Sequence, residues 1–106
     1  MSILKHLLAL AVLFPSVAMA AETIAQPIKH YRLDAASNYL YAVGANSWGS
    51  AACPNAPYAT ILPGLVGHKL MFAAIASAHA AGKTVRFVGE CSSDPNYFNA
   101  TYIIVE

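Results

Sequence analysis

Cys53 and Cys91 are the residues whose types most directly promise chemistry, because a thiol can ligate a metal, carry redox equivalents, attack a substrate or form a disulfide. They lie far apart in the chain and neither belongs to a C-x-x-C pair, which is poor spacing for a metal or redox site. A structural disulfide is the expected use, and it removes both thiols as nucleophiles. Of the four histidines, His6 falls in the N-terminal segment and His30 stands alone. His68 and His79 are close in angle on a helix, but their spacing is about 16 Å at 1.5 Å per residue, too long to share one ion. Ser47, Ser50, Ser92 and Ser93 lack a G-x-S-x-G elbow. Glu22, Asp34, Glu90, Asp94 and Glu106 are too scattered to supply an acid and base couple. The expectation is a non-enzymatic protein with no metal and no cofactor.

Aromatic residues beside polar ones suggest recognition instead. Trp48 sits in Asn46-Ser47-Trp48-Gly49-Ser50, and Tyr97 follows Asp94-Pro95-Asn96. A flat ring can stack on a sugar or peptide while neighbouring amides and hydroxyls orient it, so Trp48, Asn46, Ser47, Tyr97 and Asn96 are the candidate ligand-binding residues. A second reading of Trp48 stands beside this one: a small core needs its large rings, and the indole can fold back over the disulfide and the end of the fold.

Residues 1–20 have the three zones of a secretory signal peptide: Lys5 and His6, the apolar run 7–14, and Ala18-Met19-Ala20 as the cleavage pattern, with cleavage after Ala20. The apolar run is about half of the roughly 20 residues a membrane-spanning helix needs. Removing it leaves Lys29, Arg32, Lys69, Lys83 and Arg86 against five acidic residues, so the net charge is zero. The general attraction for nucleic acid or anionic lipid is therefore missing. The product is expected to be secreted or periplasmic, where two cysteines meet an oxidising environment.

Residues 21–106 read as one domain. After a short leader at 21–27, strands are expected at 28–33 and 39–43, joined as a hairpin in which Asn38 takes the left-handed conformation. The Gly-, Asn- and Ser-rich stretch 44–57 is a loop, and 58–62 is a third strand. The alanine-rich segment 67–81 is a helix that Gly82 ends. Its apolar face holds Met71, Phe72 and Ile75, extended by Leu70 and Ala78, while Lys69, Ala73, Ser77 and Ala80 form a smooth opposite face. Strands at 84–88 and 102–105 follow, the last one buried. The expected fold is mainly β: a five-stranded OB-like barrel, β-β-β-α-β-β, with the helix between strands three and four. An open sheet with one packed helix is the alternative.

The stretch His79-Ala80-Ala81-Gly82-Lys83-Thr84-Val85-Arg86-Phe87, continuing to Cys91, resembles small exported bacterial proteins related to the B subunits of subtilase-type toxins. The resemblance covers about the second half of the chain. It implies a five-stranded barrel, one disulfide and a ring of five copies that binds host glycans, and it assigns no sugar-contacting residue here. The expectation is an exported binding module for a glycan or a protein partner, possible as a homo-oligomer. The alternatives are a self-assembling envelope protein using the smooth helix face, and an inhibitor or immunity-type partner of a secreted enzyme.

Overall fold

The computed structural model describes residues 20–106, so the signal-peptide expectation lies, except for Ala20, outside the described residues. Among them the order is β1 (Ala21–Glu22), β2 (Gln26–Asp34), β3 (Tyr39–Gly44), β4 (Tyr58–Ile61), α1 (His68–Ala80), β5 (Thr84–Cys91) and β6 (Tyr97–Val105). Over the described residues the protein is mainly β with one helix, as expected. It has six strands rather than five, and α1 lies between β4 and β5 rather than between the third and fourth strands.

The extra strand is the expected leader. Ala21 and Glu22 pair with Gly89 and Val88, too short a run to show a two-residue period. Behind it, the Thr23 N–H donates to the Phe87 carbonyl at 2.9 Å and the Thr23 hydroxyl oxygen accepts from the Phe87 N–H at 2.9 Å. Arg86 adds ion pairs to Glu22 (3.1 Å) and Glu106 (2.7 Å), both part-exposed and so of small energetic weight.

β2 and β3 form the expected hairpin, with Asn38 in the left-handed region at φ 65° and its N–H donating to the Asp34 carbonyl at 2.6 Å. β3 pairs antiparallel with β4, β4 pairs parallel with β6, and β6 pairs antiparallel with β5. β5 then returns to β2 through Val85 opposite Gln26 and Thr84 opposite Pro27. The pairings thus run in a circuit through β2, β3, β4, β6 and β5. Gly89 permits the close passage of β5 and β6 at a register shift: a Cβ there would collide with the Asn99 carbonyl.

Inside the circuit lie Leu40, Ala42, Ala59, Ile61, Val85, Phe87, Phe98 and Ala100, drawn from alternate positions of their strands. α1 adds Met71, Ile75 and Ala78, with Phe72 partly covered against Tyr31. Leu70, expected on the buried face, is 78% exposed, because the covered stripe of α1 is narrower than 100° steps suggest. The last strand also departs from expectation. It begins at Tyr97, its buried residues are Phe98 and Ala100, and Tyr102 and Val105 are exposed. Only Phe98 and Asn99 are flanked by strands on both sides; beyond them β6 has β5 alone. Among the described residues no helix is long and apolar enough to cross a membrane.

Cys53 and Cys91 form a disulfide with a Cα separation of 6.0 Å, as expected, in keeping with an oxidising compartment. It ties the loop before β4 to the last residue of β5. Closing a loop of this length removes about 4 kcal/mol of unfolded-state entropy, a large part of a small domain's stability. Urea unfolding of the Cys53→Ala, Cys91→Ala double variant should show a loss of roughly that size; an unchanged midpoint would contradict a structural role for the bridge.

Candidate functional site

Outward positions of the circuit carry the most concentrated functional chemistry. On β3 the alternation puts Leu40 and Ala42 inside and Tyr39, Tyr41 and Val43 outside. Register then sets their neighbours. Arg32 and Asp34 of β2 stand opposite Tyr41 and Tyr39. Tyr58 and Thr60 of β4 stand opposite Val43 and Tyr41, and Tyr97 and Asn99 of β6 stand opposite Tyr58 and Thr60.

Four tyrosine rings therefore share one face. Tyr58 and Tyr97 stack at 5.3 Å with planes 17° apart, and Tyr39 and Tyr41 stack at 6.1 Å with planes 13° apart. Tyr41 links the pairs, edge-on to Tyr58 at 5.8 Å and tilted against Tyr97 at 6.1 Å. The Arg32 guanidinium lies over Tyr58, 5.9 Å from the ring centre, within cation–π range. Two clefts flank the rings. One, of about 260 Å³, is lined by Arg32, Leu33, Asp34, Tyr41, Tyr58 and Tyr97. The other, of about 380 Å³, lies against Tyr39, Tyr41 and Tyr97 and adds Thr60, Asp94 and Asn99.

Turns at one end position this face. Asp34 accepts from the Ala36 N–H at 3.0 Å, and hydrogen bonds from Ser37 first and Ala36 second hold its carboxyl below the ordinary carboxylate range. Asp94 accepts from the Asn96 N–H at 3.0 Å, and its carbonyl accepts from Tyr97 N–H at 3.1 Å, setting Tyr97 at the start of β6. The Tyr41 phenol is pushed above its ordinary value by desolvation, then by Tyr97, Asp34 and the other two rings. At neutral pH Tyr41 therefore keeps its proton and offers a hydrogen-bond donor between the two clefts.

No family model, curated protein or solved structure matches the chain.

Of the residues selected from sequence, Tyr97 alone joins the tyrosine face. Trp48 is a correction: it is fully buried, edge-on to Phe87 at 5.0 Å, and its indole N–H donates to the Ala42 carbonyl at 3.0 Å. Its backbone donates to Ala56 and accepts from Ile24, so the ring is locked into the core as the second reading has it. The backbones of Asn46 and Ser47 are likewise engaged in structure, and the Ser47 hydroxyl donates to the Pro54 carbonyl at 3.0 Å. Their carbonyls accept from the buried Gln26 amide at 2.9 and 3.2 Å, and the Asn46 N–H donates to its Oε1 at 3.0 Å. Asn96 is exposed at the turn, its carbonyl accepting from Tyr58 N–H at 3.4 Å, and it lines neither cleft.

Sequence reasoning missed Tyr39, Tyr41, Tyr58 and Arg32. The usable signal was the alternation Tyr39-Leu40-Tyr41-Ala42: with the aliphatic positions inside, the tyrosines must face out. The histidines remain apart from this face. His68 is buried at the start of α1, and His79 packs edge-on to Tyr31 with a ring nitrogen 3.1 Å from the Lys29 carbonyl oxygen. Among the described residues no three His, Cys, Asp or Glu side chains are grouped to hold a metal.

The raised Tyr41 value has a signed consequence. The folded chain keeps this proton above the ordinary tyrosine value of 10.0, so the contribution is intact below that pH and stability falls as pH rises through the folded value. Phenolate absorbance should show a step above the ordinary range that Tyr41→Phe abolishes, with shallower alkaline destabilisation. A titration in which Tyr41→Phe removes no step above the ordinary range would contradict the desolvated environment.

Proposed function

We propose that this chain is an exported, non-enzymatic binding module whose tyrosine face recognises a glycan. One observation carries the reading: four half-covered tyrosine rings on adjoining strands flank two clefts that also hold an arginine, carboxylates and an amide. Sugar rings present apolar C–H faces and hydroxyl edges, and this face offers stacking surfaces bordered by donors and acceptors.

The circuit of β2, β3, β4, β6 and β5 supports a finer fold assignment, an OB-type barrel with β1 appended and α1 following its third strand. In such barrels the second and third strands and the loops after the first and fourth form the surface that binds oligosaccharides or oligonucleotides. Here those parts are β3, β4, the turn 35–38 and the turn 92–96; β3, β4 and Ser92 and Asp94 of the second turn line the clefts, joined by Arg32 and Asp34 at the end of β2 and by Tyr97 and Asn99 of β6. With zero net charge expected after export and one arginine at the site, a sugar is favoured over a nucleic acid. The resemblance to toxin B subunits points to the same ligand class.

The purified exported protein should bind members of a broad glycan array. Tyr41→Ala and Tyr97→Ala should each weaken binding by about tenfold or more, equivalent to about 1.4 kcal/mol, with circular dichroism unchanged. Failure to bind any glycan would overturn the proposal, and capture of a protein ligand by the same face would replace it.

A further inference from the structure

We propose that the tyrosine face has two compartments, one on each side of the ridge made by Tyr41 and Tyr97, and that its ligand is an oligosaccharide of at least two units. The compartment above Thr60 takes a neutral, hydroxyl-bearing ring. This inference rests on the glycan reading.

Tyr41 and Tyr97 line both clefts, with ring centres 6.1 Å apart and planes tilted by 53°. The rings therefore act as a shared wall, and a ligand that crosses it contacts aromatic surface on both sides. The two compartments differ in chemistry. Arg32 and Asp34 border the first, giving it both charges. The second has no arginine or lysine in its lining; it offers the Asp94 carboxylate, the Ser92 hydroxyl and the Asn99 side chain. Asp94 repels an anionic unit there, while an uncharged ring can donate its hydroxyls to the same carboxylate.

Thr60 supplies the independent observation. It lies on the outward row between Tyr41 and Asn99, lines the second cleft and is only 2% exposed. Its Oγ1 is buried without a hydrogen-bond partner. Buried hydroxyls nearly always have one, so an orphaned hydroxyl beneath a polar cleft marks a place where a ligand group completes the pairing. Slight parting of the neighbouring rings around a bound sugar brings this hydroxyl into contact, as donor or acceptor.

Calorimetric titration of the full exported chain with glucose and maltose, galactose and lactose, and N-acetylglucosamine and chitobiose tests the proposal. Arg32→Ala probes the first compartment, and Thr60→Val and Asn99→Ala probe the second. Thr60→Val keeps the side-chain shape and breaks no internal hydrogen bond, so its fold is retained; its melting temperature checks this. At least one disaccharide should bind about tenfold or more tighter than its monosaccharide. Its affinity should fall in both the Arg32 and the Thr60 or Asn99 variants, whereas monosaccharide binding should respond to variants of one compartment only. Equal affinity for disaccharide and monosaccharide, or disaccharide binding that ignores either compartment, would overturn the two-compartment site and leave the glycan reading intact. Absence of binding by all six sugars and by the glycan array would overturn both.

Discussion

The parallel pairing of β4 with β6 is the constraint on which the rest of the molecule depends. It sets Tyr58 beside Tyr97, Ala59 beside Phe98 and Thr60 beside Asn99, and it closes the circuit of strands. Parallel neighbours cannot be joined by a tight turn, so the chain must travel through α1 and β5 before it returns. The disulfide shortens that search. Cys53 precedes β4 by a few residues and Cys91 ends β5 just before the turn into β6, so one covalent bond holds the two strand starts near each other. The same pairing aligns both residues that build the stacked tyrosine pair and the threonine and asparagine that border the second cleft.

A filled interior makes an aromatic exterior affordable to the fold. Trp48, Phe87 and Phe98 are fully buried and fill the interior, while the four tyrosines stay on the outward row. Trp48 also satisfies its one polar atom on the Ala42 carbonyl, which leaves the strand carrying Tyr41 anchored from behind. Gln26 does the same for the loop after β3, since its buried amide both donates to and accepts from that loop's backbone. Gly44 is the complement of this arrangement, because a Cβ there would strike the Gln26 side chain. Trp48, which looks available for ligand in the sequence, and the backbone of the loop that carries it are thus committed to the architecture.

Much of the strand pattern was legible because it is local. The hairpin around Asn38, the helix ended by Gly82 and the strand of Val85 and Phe87 each follow from short-range periodicity and turn chemistry. The disulfide was legible from compartment and cysteine number. The site was mostly not. Tyr97 drew notice through its polar neighbours, but Tyr39, Tyr41, Tyr58 and Arg32 come from three different strands and meet only through register. Trp48 misled for the same reason: a ring flanked by Asn, Ser and Gly looks exposed until Ala56 and Ile24 are known to pin its backbone inward. The two-residue β1 and the early start of β6 escaped because their pairing partners, rather than their own composition, define them.

The central claim is that recognition occurs on the tyrosine face and that the tryptophan is architectural. Nuclear magnetic resonance of the protein titrated with the tightest-binding array glycan separates the two most directly. The ring resonances of Tyr41, Tyr58 and Tyr97 should shift with saturation, while the Trp48 indole N–H, held on the Ala42 carbonyl, stays in place. Perturbation centred on the Trp48 indole or on α1, with the tyrosine rings unmoved, would contradict the account.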